Sequence, residues 1–197
     1  VILRELERLC TPGVRVLDVG TGTGLYITET VRRDIECVGI APSQAMLNEA
    51  AKKLPVQAPL ICATVEELPF PNGSFDLAIM CRVLSHVSNP EAALKEVGRV
   101  LTPGAPLIVS DVSSYHDYEM VRIPIPDGDV HIETHKYSVE QLVQAAERSV
   151  FWKIQHFRSI CYKDLLWKPS PDEYPSLDVN SAKPIFFYAV FSRLGRD

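Results

Sequence analysis

The sequence predicts an α/β domain, a sheet built from βαβ units with helices on both faces, and three observations predict it. Short apolar runs alternate with stretches of helical period over the first 111 residues, the pattern of parallel strands joined by crossover helices. One of those runs ends in an acid and three alternate glycines, Val16-Leu17-Asp18-Val19-Gly20-Thr21-Gly22-Thr23-Gly24. Glycines there tolerate positive φ and let a ligand approach the backbone, at the N–H-rich start of a helix. The 197 residues are 46% hydrophobic, enough for one domain with a sizeable core.

Taken in order, Ile2 to Cys10 has helical spacing at Leu3, Leu6 and Leu9. Val14, Val16, Leu17 and Val19 then read as a strand over 14–19 covered on both faces, and Leu25 to Arg33 as the helix that follows it. Further strands are expected at 35–40, 58–62, 75–81 and 105–111. Ser43 is a good N-cap for a helix through Lys53, and Asn89-Pro90 opens a helix ending near Leu101, before Pro103-Gly104. After residue 111 the alternation lapses. Residues 112–137 are long and polar-aromatic, 138–148 are helical, and 150–160 and 184–193 read as strands. Between these last two, 161–183 carries Tyr162, Trp167, Tyr174 and several prolines, a length uncommon in a compact domain unless it has a job. The whole of 1–197 reads as a single domain with 112–137 and 161–183 as insertions.

The net charge of -5, with no basic cluster, argues against general nucleic-acid binding. Cys10, Cys37, Cys62, Cys81 and Cys161 are odd in number, widely spaced and mostly in apolar surroundings. They read as small core hydrophobes of a reduced, cytoplasmic protein. No apolar run approaches a membrane span and no signal peptide is visible, so a soluble protein is expected. The chain starts with Val1 in place of Met, which leaves room for residues upstream.

The spacing of the glycine turn, Asp-x-Gly-x-Gly-x-Gly, is neither that of dinucleotide enzymes nor that of a phosphate loop. With Val38-Gly39-Ile40-Ala41-Pro42-Ser43-Gln44-Ala45-Met46-Leu47, the stretch Glu66-Glu67-Leu68-Pro69-Phe70-Pro71-Asn72-Gly73-Ser74-Phe75-Asp76, and Arg99-Val100-Leu101-Thr102-Pro103-Gly104, it gives four motifs in one order. In these the chain resembles the class I S-adenosylmethionine-dependent methyltransferases, in particular the small-molecule, ubiquinone/menaquinone-type group. The resemblance covers most of the chain. It implies a Rossmann-like, mixed seven-stranded sheet whose last two strands form an antiparallel edge pair. It also implies S-adenosylmethionine as cofactor, a small-molecule acceptor methylated at O, N or C, and both insertions on the substrate side. A homodimer is the further partner expected.

In such sheets ligands lie at the carboxyl ends of the strands. The resemblance places Asp18, Gly20, Thr21, Gly22, Thr23 and Gly24 at the methionine part of the cofactor, and Ala41, Pro42, Met46, Thr64, Val65 and Cys81 along the rest. Two positions depart from the family. Ala41 stands where an acid usually accepts both ribose hydroxyls, and Thr64 where an aspartate usually lies near the adenine amino group. A lost charge-assisted hydrogen bond costs about 1.5–3 kcal/mol, or roughly one to two decades of affinity. Two readings stay open: ordinary methyl transfer, with water, backbone N–H groups, Ser43 or Gln44 taking over the ribose contact, or a methyltransferase-like binding or regulatory protein that has lost cofactor affinity.

Methyl transfer needs alignment and exclusion of water more than a dedicated base. Candidate polar groups beside the acceptor are His86, beyond the fourth strand, and Asp111, Tyr115 and His116, beyond the fifth. Tyr115, Tyr118, Met120, Tyr162, Trp167 and Tyr174 suit the walls of a partly apolar pocket. In Asp127-Gly128-Asp129-Val130-His131-Ile132-Glu133-Thr134-His135 every odd position is acidic or histidine. An extended backbone would put His131, Glu133 and His135 on one face as a metal-ligand set, although positions two apart on a strand lie about 6.5–7 Å from each other, awkward for three ligands of one ion.

Overall fold

The computed structural model describes residues 2–114, 120–125, 128–149, 152–161 and 184–193. In chain order the elements are α1 (Ile2–Leu9), β1 (Arg15–Val19), α2 (Leu25–Val31), β2 (Glu36–Ala41), α3 (Gln44–Lys53), β3 (Leu60–Cys62) and β4 (Leu77–Cys81). A 3₁₀ turn (Leu84–His86), α4 (Pro90–Val100), β5 (Pro106–Val112), β6 (Met120–Ile125), β7 (Gly128–Glu133), α5 (Val139–Arg148), β8 (Trp152–Cys161) and β9 (Pro184–Arg193) follow. Seven strands form one sheet in the order β3-β2-β1-β4-β5-β9-β8. The first five are parallel, and β9 runs antiparallel to both β5 and β8. The chain winds outward from β1 to β3 and returns to place β4 on the other side of β1, so the carboxyl ends of β1 and β4 flank a topological switch point.

Strand alternation divides the core in two. Leu17, Val19, Ala78, Met80, Leu107 and Val109 pack on one face with Leu94 and Val97 of α4 and Leu142 and Ala145 of α5. Val16, Leu77, Ile79 and Ile108 pack on the other with Leu6 of α1 and Ile27 and Val31 of α2. This two-sided burial is why the strands are apolar runs without polar alternation. The helix starts follow their caps. Ser43 Oγ accepts from Met46 N at 3.3 Å, and Asn89 Oδ1 from Ala92 N at 3.0 Å ahead of Pro90. Ser138 and Gln141 form a reciprocal capping box, with bonds of 3.2 and 2.8 Å.

At the amino ends of the strands the third and fourth sequence motifs meet. Arg99 of α4 donates to Phe70 O at 2.7 Å, Leu68 O at 2.9 Å, Asn72 Oδ1 at 2.9 Å and the Glu96 carboxylate at 2.6 Å. That guanidinium holds the Glu96 carboxyl below the usual carboxylate range. Glu96 in turn accepts from Leu68 N. Ser74 N and Phe75 N both donate to Val100 O, Thr102 N donates to Phe75 O, and Asp76 accepts from Arg15 N and Thr102 Oγ1.

The differences from expectation are local. Helix α2 ends at Val31 rather than Arg33, and β3 is shortened to Leu60–Cys62 because this edge strand pairs only with Gly39–Ala41. Phe75 is held by an isolated bridge to Leu101, so β4 begins at Leu77. Cys37 and Cys81 are buried and Cys10 and Cys161 half-buried, while Cys62 is exposed because it ends an edge strand. Within 112–137 lies a two-stranded antiparallel hairpin, β6 with β7, outside the main sheet. Its signal is in the sequence: Asp127-Gly128 flanked by Val121, Ile123 and Ile125 and by Val130 and Ile132. Tyr162, Trp167 and Tyr174, with the rest of 162–183, lie outside the described residues, as does Tyr118. Among the described residues no helix is long and apolar enough to cross a membrane.

Candidate active site

The glycine turn joins β1 to α2 and is braced from beneath by Asp18. This carboxylate is 1% exposed, and its Oδ2 accepts from Thr21 Oγ1 at 2.7 Å and from Ile27 N at 3.0 Å, tying the strand end to the first turn of α2. Burial pushes its pKa up to about 7 against the two hydrogen bonds, which favour the charged form. Thr21 N donates to Ile40 O and Gly24 N to Thr21 O, while the N–H groups of Gly22 and Thr23 have no acceptor among the described residues.

The three glycines do different jobs. A Cβ on Gly24, at φ +86, would meet Ala50 Cβ at 2.9 Å, so the glycine lets α3 close against the turn. One on Gly20, at φ +68, would meet Val83 Cγ2 at 2.3 Å, so it admits the loop after β4. Gly22 differs: its Cβ would meet only Gly20 O, at 3.8 Å, and otherwise faces open space. Two unpaired N–H donors beside an open approach at a helix start fit a carboxylate such as that of a methionine moiety.

The ends of β2 and β3 offer less. Ala41 is buried, Pro42 O accepts from Cys62 Sγ, and Met46 and Thr64 are exposed while Val65 is buried. Of the groups expected to replace a ribose-binding acid, Ser43 Oγ is engaged as the α3 cap and the Gln44 amide donates to Asn48 Oδ1 at 3.0 Å. No charged acceptor stands at position 41. At the end of β4 burial raises the pKa of the Cys81 thiol and of the neighbouring Tyr26 hydroxyl.

Beyond β4 the chain turns through Arg82, a non-glycine residue at φ +57 whose N–H donates to Ser110 O. Val83 then covers Gly20, and the 3₁₀ turn ends in His86, which is exposed. Ser85 in that turn is pinned from two sides: its N–H donates to Asp111 Oδ2 at 3.1 Å and its carbonyl accepts from His135 N at 2.7 Å. Tyr137 donates its hydroxyl to Val87 O at 2.8 Å. Asp111, His135, Tyr137 and Ser85 thus gather around one crevice with Leu84, Val112, Leu142 and Phe187. Sequence reasoning singled out Asp111 and missed Val83, Ser85 and Tyr137, which no local pattern marks.

Tyr115 and His116 lie outside the described residues, as do the side chains of His131 and Glu133. Strand β7 ends at Glu133, so His131 and Glu133 stand two apart on it while His135 lies past its end, its ring 6.0 Å from that of Tyr137. Among the described residues no three His, Cys, Asp or Glu side chains gather as metal ligands.

Comparison with known proteins agrees with this geometry. Residues 17–109 match the methyltransferase-domain family. The biotin biosynthesis bifunctional protein BioHC of Cellvibrio japonicus is 28% identical over 154 residues, which are 77% of this chain and 31% of that protein. A ubiquinone biosynthesis O-methyltransferase of Bradyrhizobium is 33% identical over 107 residues, 53% of this chain and 42% of that protein. The chain therefore spans less than half the length of these relatives. The crystal structure of a SAM-dependent methyltransferase from Methanosarcina mazei superposes with a TM-score of 0.75 at 19% identity, covering 98% of each chain. The sheet order, the glycine turn at its switch point and the superposition give the chain the fold of the class I S-adenosylmethionine-dependent methyltransferases, and within it residues 17–109 match the methyltransferase-domain family.

Proposed function

We propose that this protein transfers a methyl group from S-adenosylmethionine to a small-molecule acceptor. The observation that carries the reading is the Gly20–Gly24 turn, with open space over Gly22 and unpaired N–H groups at Gly22 and Thr23. When bound, the cofactor supplies a methyl group on a positively charged sulfur, already activated for attack. The chain's own residues bind and align. Gly22 and Thr23 hold the carboxylate end, and Asp18 keeps the turn in register from below. Ala41 and Val65 form the apolar bed of the nucleoside, with Pro42, Met46 and Thr64 at its rim. Cys81 and Val83 close the side toward β4. His86, exposed on the turn after β4, is the candidate to take up a proton released from the acceptor.

Calorimetric titration with S-adenosylmethionine and S-adenosylhomocysteine tests this. Micromolar binding is the expected result; no binding to folded protein removes the proposal. Ala41→Asp sharpens it. Restoring an acceptor for the ribose hydroxyls should tighten S-adenosylhomocysteine by about tenfold, the value of one charge-assisted bond. Unchanged or weaker affinity would mean that the ribose does not lie beside residue 41.

A further inference from the structure

Arg82, the first residue after β4, holds a left-handed backbone at φ +57. Among the described residues Asp34 is the other non-glycine residue at positive φ, and the two differ in kind. Asp34 lies in the turn between α2 and β2, where a short polar side chain tolerates that region at small cost. Arginine has no such local compensation, and glycine would make the same reversal without strain. The reversal itself is a backbone matter: Arg82 N donates to Ser110 O at 2.6 Å, and Val83 is laid over Gly20. Nothing in it uses the arginine side chain. Strain of this sort persists where the side chain has a use that the surrounding structure supports.

That use is not a contact within the fold. Arg82 is exposed, and among the described residues no acid pairs with its guanidinium. Arg8, Arg15, Arg32, Arg33, Arg99 and Arg148 each pair with a glutamate. The buried acids at the same end of the sheet are committed elsewhere, Asp18 to Thr21 and Ile27 and Asp111 to Ser85 and Val112. The Arg82 charge is felt at the Tyr26 phenol in the first turn of α2, where it opposes the effect of burial. The guanidinium therefore lies on the side of the glycine turn, at the switch point where open sheets take their ligands. Its planar fork of donors matches a carboxylate. In the function proposed above, the N–H groups of Gly22 and Thr23 take the carboxylate of the cofactor, which leaves Arg82 for a second one.

We infer that Arg82 is the recognition residue for a carboxylate carried by the acceptor, held at the carboxyl end of β4 beside the cofactor turn. The carboxylate is the handle by which the acceptor is held; the methylated atom is a separate matter. Only the word acceptor rests on the methyl-transfer reading.

The test is a pair of calorimetric titrations, with benzoate and with benzyl alcohol, on the whole chain with and without S-adenosylhomocysteine. The probes share a ring and differ in charge at neutral pH. Benzoate should bind about fivefold tighter, the worth of one exposed ion pair. Arg82→Gln should erase that preference and leave the affinity for S-adenosylhomocysteine unchanged. Arg82→Gly should erase it too while unfolding at a temperature no lower than the wild type, since glycine adopts the left-handed backbone freely. Equal binding of the two probes, no benzoate binding at millimolar concentration, or a preference that survives in Arg82→Gln each overturns the inference. So does weaker S-adenosylhomocysteine binding by Arg82→Gln, which would assign the arginine to the carboxylate of the cofactor. Arg82→Gly unfolding several degrees below the wild type would give the side chain a structural role and overturn it as well. A wild type that binds no S-adenosylhomocysteine but keeps an Arg82-dependent benzoate preference would remove methyl transfer and leave the carboxylate site standing.

Discussion

The two ends of the sheet differ in how completely their polar groups are used. At the amino ends of β1, β4 and β5, Arg99 alone satisfies two carbonyls, an amide and a carboxylate, and Asp76 bridges Arg15 to Thr102. At the carboxyl ends Gly22 and Thr23 keep unpaired N–H groups, Arg82 holds a left-handed backbone, and Asp111 has no counter-charge among the described residues. The saturated end holds the fold together, and the unsaturated end is the one proposed to bind a ligand. Of the four motifs, then, the third and fourth meet at the saturated end, and the first two lie at the end proposed to bind the cofactor.

Substitutions at the two ends should therefore separate binding from stability. The largest effect is expected at the ligand end, from Gly24→Ala. Its methyl would press on Ala50 Cβ and Cα at 2.9 and 3.0 Å while φ stays at +86, so α3 must shift. A stability loss of about 2–4 kcal/mol should come with loss of S-adenosylhomocysteine binding; urea unfolding and calorimetry read the two. Wild-type affinity in this variant would break the link between turn geometry and the ligand.

Next is Arg99→Ala at the saturated end, which strands Leu68 O, Phe70 O and the Glu96 carboxylate. About 2–3 kcal/mol of stability should be lost with affinity unchanged, because nothing at the carboxyl ends moves. A large change in affinity at constant fold would merge the two regions.

Asp18 carries a pH signature. Its folded pKa of about 7 lies above the ordinary carboxyl value of 3.8, so the folded state binds the extra proton between these values. The contribution of the protonated form is full below about pH 4 and is lost as pH rises through about 7. Thermal unfolding of Asp18→Asn, which keeps an acceptor for Ile27 N and Thr21 Oγ1 without a charge, should gain on the wild type steadily across that window. Parallel curves for the two proteins would place the titration elsewhere.

The smallest effect is a gain. Thr28 Oγ1 is buried without a hydrogen-bond partner among the described residues. Thr28→Val keeps the shape and removes the orphan, so the unfolding free energy should rise by about 1 kcal/mol with binding untouched.

Much of this fold was legible from the chain because its signals are local. Two-sided burial wrote the strands as apolar runs, Ser43 and Asn89 announced α3 and α4 through bonds spanning three residues, and Asp18 to Gly24 announced the turn through backbone requirements of its own. The β6–β7 hairpin was equally local, but its Asp127-Gly128 signal sits inside a polar stretch that reads first as a loop. Tertiary structure alone decided the rest. Val83 over Gly20, Arg99 across 68–72, and the meeting of Asp111 with Ser85, His135 and Tyr137 join residues far apart in sequence, and no periodicity encodes such a meeting. The sequence by itself determined the order of strands and helices along the chain and the place of the glycine turn, since hydrophobic period and backbone strain act over a few residues. Which polar groups are left unpaired, and so what the site can recognise, depends on how the sheet brings its carboxyl ends together.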